Sequence, residues 1–211
     1  MRHLATLLGL ALCAATPLGA QWGGHVAAGL GATREIVRAR AGGGGAAARF
    51  TGTVLGGEAV VRRGQFSVRL RYAQGRVTSD AAARDVAEGA ALLGYAPRSW
   101  LAISAGPEAR TFIAPGLSDR RWLFWTARAR GRGAIFPGRL DSFVEVWQGL
   151  GGGRLSRPAT PARGGGLELG LEARLPGRPL WGRLAYRIDQ GRASGGIKET
   201  VEGFTLTLGG W

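Results

Sequence analysis

Acidic and arginine side chains recur at alternate positions in several stretches of this chain. The set comprises Arg69, Arg71, Glu88, Glu108, Arg110, Arg128, Glu145, Glu168, Glu172, Arg174, Arg183, Arg187 and Asp189. On extended backbone, residues two apart share a face. Two chemistries fit such a face. One is a ring of charge that selects ions. The other is a network of ion pairs, in which each group offsets its neighbour's desolvation. Neither needs a nucleophile, and the chain is poor in catalytic material. His25 is the one histidine beyond His3, and it lies close to Trp22, where it reads as an interfacial polar residue. No His/Cys group has zinc-ligand spacing. No Gly-x-Ser-x-Gly elbow occurs. Gly42 to Gly45 lacks the lysine and Ser/Thr of a phosphate-binding loop. Asp80 and Asp85 flank a loop and make only a weak acid–base or calcium pair. No cofactor, metal or enzymatic activity is expected.

The elements that must carry these charges are strands. In Gln65 to Tyr72, Phe66, Val68, Leu70 and Tyr72 alternate with Ser67, Arg69 and Arg71. Leu167, Leu169 and Leu171 alternate with Glu168 and Glu172, and Leu184, Tyr186 and Ile188 with Arg183, Arg187 and Asp189. Such period-two patterning marks a two-faced strand. It predicts strands near 22–37, 47–62, 65–77, 85–96, 100–113, 121–135, 141–153, 165–175, 180–190 and 199–211. No element reads as a helix, and Thr78 to Glu88 is expected to cap a hairpin. Arg63-Gly64, Pro97-Arg98-Ser99, Pro137-Gly138-Arg139 and Pro176 to Pro179 read as tight turns. Longer links lie between them: 38–46, 78–84, 114–120, 154–164 and 191–198.

The start of the chain reads as an export signal. Met1-Arg2-His3 is a short basic start, Leu4 to Ala15 is apolar, and Thr16 to Ala20 is a small-residue cleavage region. The expected domains are a signal peptide, 1–20, and one barrel domain, 21–211. The one cysteine, Cys13, falls inside the signal, so the mature chain has no disulfide. A lipoprotein signal would need a small residue before it, where Leu12 stands.

Alternating short turns and longer links, on an even number of strands, is the arithmetic of a transmembrane barrel. The predicted strands are long. Many run to about a dozen residues, where soluble strands average about five or six and a tilted membrane strand needs about nine to eleven. Aromatic residues gather near strand ends. Trp22, Phe66, Tyr95, Trp100, Phe136, Phe143, Trp181 and Trp211 are expected to form the periplasmic girdle. Phe50, Tyr72, Phe112, Trp122 and Trp125 would form the opposite one.

In this architecture the chain resembles the small bacterial outer-membrane β-barrel proteins. The resemblance spans the mature chain and rests on no single motif. It implies a closed, antiparallel, up-and-down all-β transmembrane barrel of about ten strands, with eight as the alternative, in the bacterial outer membrane after signal-peptide export. It also implies a terminal aromatic residue read by the barrel-insertion machinery, and Trp211 supplies one. The preceding alternation, Phe204, Leu206 and Leu208, is out of phase with Trp211, so the family pattern expects an apolar residue where Gly209 stands. A bulge or twist at Gly209-Gly210 could restore the phase.

Functional expectations follow. The charged face belongs in the lumen, because an arginine facing lipid near the midplane costs about 2–4 kcal/mol. A narrow barrel is nearly filled by its own side chains, which favours an ion-pair network over an open ring. The expected protein is a non-enzymatic barrel with a structural or surface-interaction role, or a narrow pore. The alternatives are an outer-membrane enzyme acting at the extracellular rim and a soluble periplasmic ligand-binding β-barrel. Net charge is +14, nearly all from arginine, with Lys198 the one lysine. That balance suits an anionic partner such as lipopolysaccharide phosphate, and it also follows from a GC-rich coding bias with the groups solvated or paired. Expected partners are outer-membrane lipid including lipopolysaccharide and the insertion machinery, with no nucleic acid and a monomeric chain. The hairpin at Pro176 to Pro179 should pair Leu175 with Leu180. That register sets Leu171 opposite Leu184, Leu169 opposite Tyr186, Glu172 opposite Arg183 and Glu168 opposite Arg187, with both opposite-charge pairs expected to interact.

Overall fold

The computed structural model describes residues 25–40, 47–111, 121–154, 162–193 and 197–211. The expected signal peptide and Trp22 lie outside the described residues. Ten strands are present: β1 (His25–Arg40), β2 (Ala47–Arg63), β3 (Phe66–Thr78), β4 (Ala83–Arg98), β5 (Leu101–Thr111), β6 (Arg121–Phe136), β7 (Leu140–Arg154), β8 (Ala162–Arg174), β9 (Leu180–Ala193) and β10 (Ile197–Gly210). Each pairs antiparallel with its sequence neighbours, and β1 closes on β10. The architecture is therefore the expected all-β, closed, up-and-down barrel of ten strands. Closure leaves no unpaired edge.

Four tight turns gather at one end of the barrel, called here the turn end. Gly64, Gly138 and Gly177 take φ values of 58°, 73° and 71° in three of them, a left-handed conformation that glycine adopts without a Cβ clash. At the opposite, loop end the strands run further than the sequence pattern suggests. The link expected over 78–84 shrinks to Ser79–Ala82. There the Ser79 N–H donates to the Ala82 carbonyl at 2.8 Å and the Ala82 N–H to Ser79 Oγ at 3.1 Å. The side-chain hydroxyl closes a turn that sequence alone spreads into a loop.

Outward faces carry the apolar alternation. Phe66, Val68, Leu70, Leu169, Leu171 and Leu184 are exposed on the barrel's outer surface, and Leu167, Tyr186 and Ile188 alternate with the same phase. A soluble barrel would bury these side chains inside. Here the buried set is mixed, and most of the charged face lies within the barrel.

The β8–β9 ladder follows the expected register. Leu175 N–H donates to the Leu180 carbonyl at 3.1 Å. Leu171 stands opposite Leu184, Leu169 opposite Tyr186, Glu172 opposite Arg183 and Glu168 opposite Arg187.

The C-terminal strand departs from expectation. No bulge interrupts β10 at Gly209-Gly210; Gly209 pairs with Gly29 and Gly210 with Ala28 in unbroken register. Gly209 points inward, and a Cβ there would sit 2.5 Å from the Trp181 indole and 2.3 Å from the Ala28 carbonyl. The glycine makes room for an indole inside the barrel. Trp211 lies past the strand end, exposed, with its N–H donating to the Pro179 carbonyl at 3.2 Å.

Candidate functional site

Among the described residues, the lumen gathers acids and arginines together. All thirteen of the alternating charged residues face it: Arg69 and Arg71 from β3, Glu88 from β4, Glu108 and Arg110 from β5, Arg128 from β6, Glu145 from β7, Glu168, Glu172 and Arg174 from β8, and Arg183, Arg187 and Asp189 from β9. Eight of them meet in two centres. Arg187 is the hub of the first: its guanidinium lies 2.9 Å from Glu35, 2.7 Å from Glu88 and 3.2 Å from Asp189. Asp189 also accepts from Arg110 at 3.0 Å and from the Trp147 indole N–H at 2.7 Å. Glu145 is the hub of the second, with Arg128 at 3.0 Å, Arg69 at 3.2 Å and Arg130 at 3.9 Å. Arg128 reaches on to Glu108.

Further pairs knit the walls together. Arg71 meets Glu168 at 3.7 Å, Arg183 meets Glu58 at 2.6 Å, and Arg130 meets Glu172 at 3.3 Å. Arg174 takes Asp141 at 3.0 Å and Glu172 at 3.7 Å, near the turn end. Each buried carboxylate in these centres therefore has a guanidinium against it, which is the condition for tolerating buried charge.

The expected pairing inside the β8–β9 hairpin is corrected. Its register holds, but its charges do not pair with each other. Arg183 reaches across to Glu58 on β2, and Arg187 to Glu35 on β1 and Glu88 on β4. Glu172 and Glu168 turn instead to Arg130 and Arg71. In a closed barrel, inward side chains converge on the axis, so a long guanidinium meets the opposite wall as readily as the adjacent strand. A ladder diagram contains only the latter.

Sequence reasoning missed Glu35, Glu58, Arg130 and Asp141. Glu58 sits in a Gly56-Gly57 stretch that dilutes the alternation, and Glu35 lies between Arg34 and Ile36, where polarity does not reveal the phase. Arg130 was legible in principle, two residues beyond Arg128 on the same face.

Aromatic residues divide between the two faces. Phe66, Tyr95, Trp100, Phe136 and Trp211 are exposed around the turn end, with the Phe66 and Tyr95 rings 5.3 Å apart. Phe136 comes outward through a register shift between Ala134 and Phe136. Phe143 and Trp181 are corrections to the girdle, for both are buried inside the barrel. The Arg130 guanidinium lies 3.9 Å from the Phe143 ring centroid and that of Arg183 5.7 Å from Trp181, contacts that favour a cation over a ring face. Of the girdle expected at the loop end, Trp125 is exposed there, Tyr72 is exposed but stands at the middle of β3, and Phe50 is buried inward; Phe112 and the side chain of Trp122 lie outside the described residues.

An apolar layer also fills the loop end of the lumen. Val37, Phe50, Val54, Val77, Val86, Phe124 and Val201 form one inward cluster. Leu92, Phe143 and Trp181 are buried toward the turn end. The cavity left among the central charges is about 70 Å³, room for a few waters at roughly 10–15 Å³ of such space each.

His25 lies at the turn end of β1, exposed and opposite Arg62. Asp85 is exposed at the loop end and accepts from Arg76 at 2.7 Å. Among the described residues, neither makes a hydrogen bond or ion pair with a carboxylate, histidine or cysteine. Among the described residues no His/Cys/Asp/Glu group suits a metal ion.

The sequence matches no family model and no curated protein. Among solved structures, the translocator domain of the autotransporter NalP from Neisseria meningitidis aligns with a TM-score of 0.52 at 12% identity, covering 98% of this chain and 95% of that one. The fold is that of a bacterial outer-membrane β-barrel. An outer membrane channel from Pseudomonas putida F1 aligns at a TM-score of 0.49 and 12% identity, over 88% of this chain and 94% of that one. Neisserial surface protein A aligns at 0.40 and 11% identity, over 86% and 95%.

Proposed function

We propose that the chain is a monomeric, non-enzymatic barrel that spans the bacterial outer membrane, loop end outward, with a closed lumen and a structural role in the envelope. The observation that carries this reading is the stacking inside the barrel. A charged storey centred on Arg187 and Glu145 lies beneath the apolar layer of Val37, Phe50, Val77 and Phe124. An ion entering from outside must cross an apolar constriction, where dewetting opposes passage. It must then break paired charges that already satisfy one another. The outward apolar alternation supports the membrane setting, since charges cluster inside and leucines outside. Three links at the loop end, 41–46, 112–120 and 155–161, are longer than any turn at the other end, which supports the orientation.

The test is twofold. The expressed chain is expected in the outer-membrane fraction and to shift in apparent mass on heating in detergent. Reconstituted into planar bilayers, it is expected to show no discrete conductance above the bare membrane. Steady ion-conducting steps would reassign it as a narrow pore. Recovery in the aqueous fraction without detergent would overturn the membrane reading.

A further inference from the structure

Not every charge lies inside. At the loop end, outward-facing cations stand in a row that crosses four strands. Arg163 on β8 is opposite Arg192 on β9, Arg192 is opposite Lys198 on β10, and Lys198 is opposite Arg40 on β1. All four are exposed. Neighbouring strands lie about 4.8 Å apart, so the row spans roughly 14 Å. Like charges directly opposite each other on a sheet repel. No ion pair joins any of the four to a described residue. Of the described outward acids at this end, Glu202 pairs with Arg38 and Asp85 with Arg76, while Asp80 stands on the β3–β4 turn, off the four strands of the row. Four unopposed cations in register call for an anion from outside the chain.

The wall below the row is shaped to match. A groove of about 520 Å³ opens there, lined by Arg163, Arg192, Gln148, Gln190, Leu167 and Ile188, and floored by Gly164 to Gly166. Its outward residues form three successive tiers. Arg163 and Arg192 face each other at the top. Gln148 and Gln190 flank Gly165 in the next tier, where the Gln148 amide lies over the bare glycine backbone and donates to the Gly164 carbonyl at 3.1 Å. Leu167 and Ile188 face each other in the third, continuous with the apolar band. Cation, amide, hydrocarbon is the order met on passing from the headgroup of an anionic lipid into its acyl chains.

We infer that this face binds a phosphorylated glycolipid of the lipid A type in the outer leaflet. Its phosphates would lie along Arg163, Arg192, Lys198 and Arg40, its sugar and amide linkages against Gln148 and Gln190, and an acyl chain over Leu167 and Ile188. The width of the row selects this occupant over a phospholipid. A single phosphate engages one or two guanidinium groups, whereas a disaccharide bearing a phosphate at each end can span the row. Charge-assisted bonds from arginine to phosphate are among the stronger polar contacts. The inference rests on the proposed orientation, with the loop end facing the outer leaflet.

The test uses the full folded chain in a zwitterionic detergent. The probes are bisphosphorylated lipid A, the same lipid with both phosphates removed, and phosphatidylglycerol; binding is read by native mass spectrometry and by the shift in Tm. Wild type is expected to bind the bisphosphorylated lipid at least about tenfold more tightly than either comparator. R192Q/K198Q is expected to lose that preference, while R139Q/R178Q, at the turn end, keeps it. Without lipid, R192Q/K198Q is expected to melt no lower than wild type, because it removes repulsion and no contact; this separates lost binding from lost folding. Equal binding of the dephosphorylated lipid, or an unchanged preference in R192Q/K198Q, overturns the inference. Equal binding of phosphatidylglycerol overturns the choice of lipid A and makes the face a general anionic-lipid site. These outcomes are read on folded protein in micelles, so they are distinct from a failure of outer-membrane fractionation.

Discussion

Two double-mutant cycles on Arg183 separate the observed side-chain network from the strand ladder. The first combines Arg183→Ala with Glu58→Ala, partners at 2.6 Å on β9 and β2, both buried. The second combines Arg183→Ala with Glu172→Ala, which are direct cross-strand neighbours in the ladder but whose ion pairs go elsewhere, Glu172 to Arg130 and Arg174. Unit charges about 4 Å apart in an effective dielectric of about 20 attract by about 4 kcal/mol. Arg69 and Arg71 also act on Glu58, so the carboxylate is not wholly abandoned when Arg183 is removed, and the measurable coupling should fall to about 2–3 kcal/mol. Each single substitution is expected to cost about 3–5 kcal/mol, because it strands a buried charge. The double Arg183→Ala/Glu58→Ala variant should then cost clearly less than the sum. The Arg183–Glu172 cycle should show only the roughly 0.2–1 kcal/mol of an opposite-charge cross-strand pair. Urea unfolding of the refolded barrel in detergent micelles, followed by tryptophan fluorescence, gives the four free energies of each cycle. A larger coupling for Glu172 than for Glu58 would refute the reasoning, since the ladder and not the lumen would then set the partners.

Further outcomes follow from the same geometry. Gly209→Ala puts a Cβ against the Trp181 ring and the Ala28 carbonyl, so a loss of about 1–3 kcal/mol from overpacking is expected in the same unfolding assay; Trp181→Ala in that background should recover part of it. Phe143→Ala is expected to cost about 3–5 kcal/mol, because it empties a buried site and uncovers the Arg130 guanidinium. Nitroxide labels at Leu70, Leu169 and Leu184, outward and exposed, should be relaxed by oxygen far more than by a water-soluble nickel reagent in reconstituted bilayers. The reverse order would place the apolar face in water.

The fold was legible in the sequence because a barrel wall is periodic. Each strand must put one face toward hydrocarbon and one toward the lumen, so Phe66 to Tyr72 and Leu167 to Leu171 declare their phase residue by residue. The turns were legible for a local reason too, since Pro and Gly cluster where the chain reverses. One hairpin's register followed from matching both of its faces at once, and it is the observed one. Phase fails where residues are small. Gly56 and Gly57 conceal Glu58, and at Gly209 the sequence offers an empty position whose meaning depends on an indole arriving from the neighbouring strand.

Tertiary structure decided the rest, because closure brings together residues that no spacing relates. Arg187 gathers Glu35, Glu88 and Asp189 from three strands, and nothing in the distance along the chain between 35, 88 and 187 announces a shared centre. The inward position of Phe143 and Trp181 was, by contrast, already written in the strand phase. Both stand near strand ends, where sequence position suggests an interfacial ring, but the phase set by Glu145 and Arg183 on the same strands carries them inside. The sequence by itself therefore determined a ten-strand wall with a charged face and an apolar face, through periodicity and local turn chemistry. Which charges neutralise one another and which cations are left in a row outside were decided only when the wall closed, because side chains on a curved sheet converge within it and spread apart outside it.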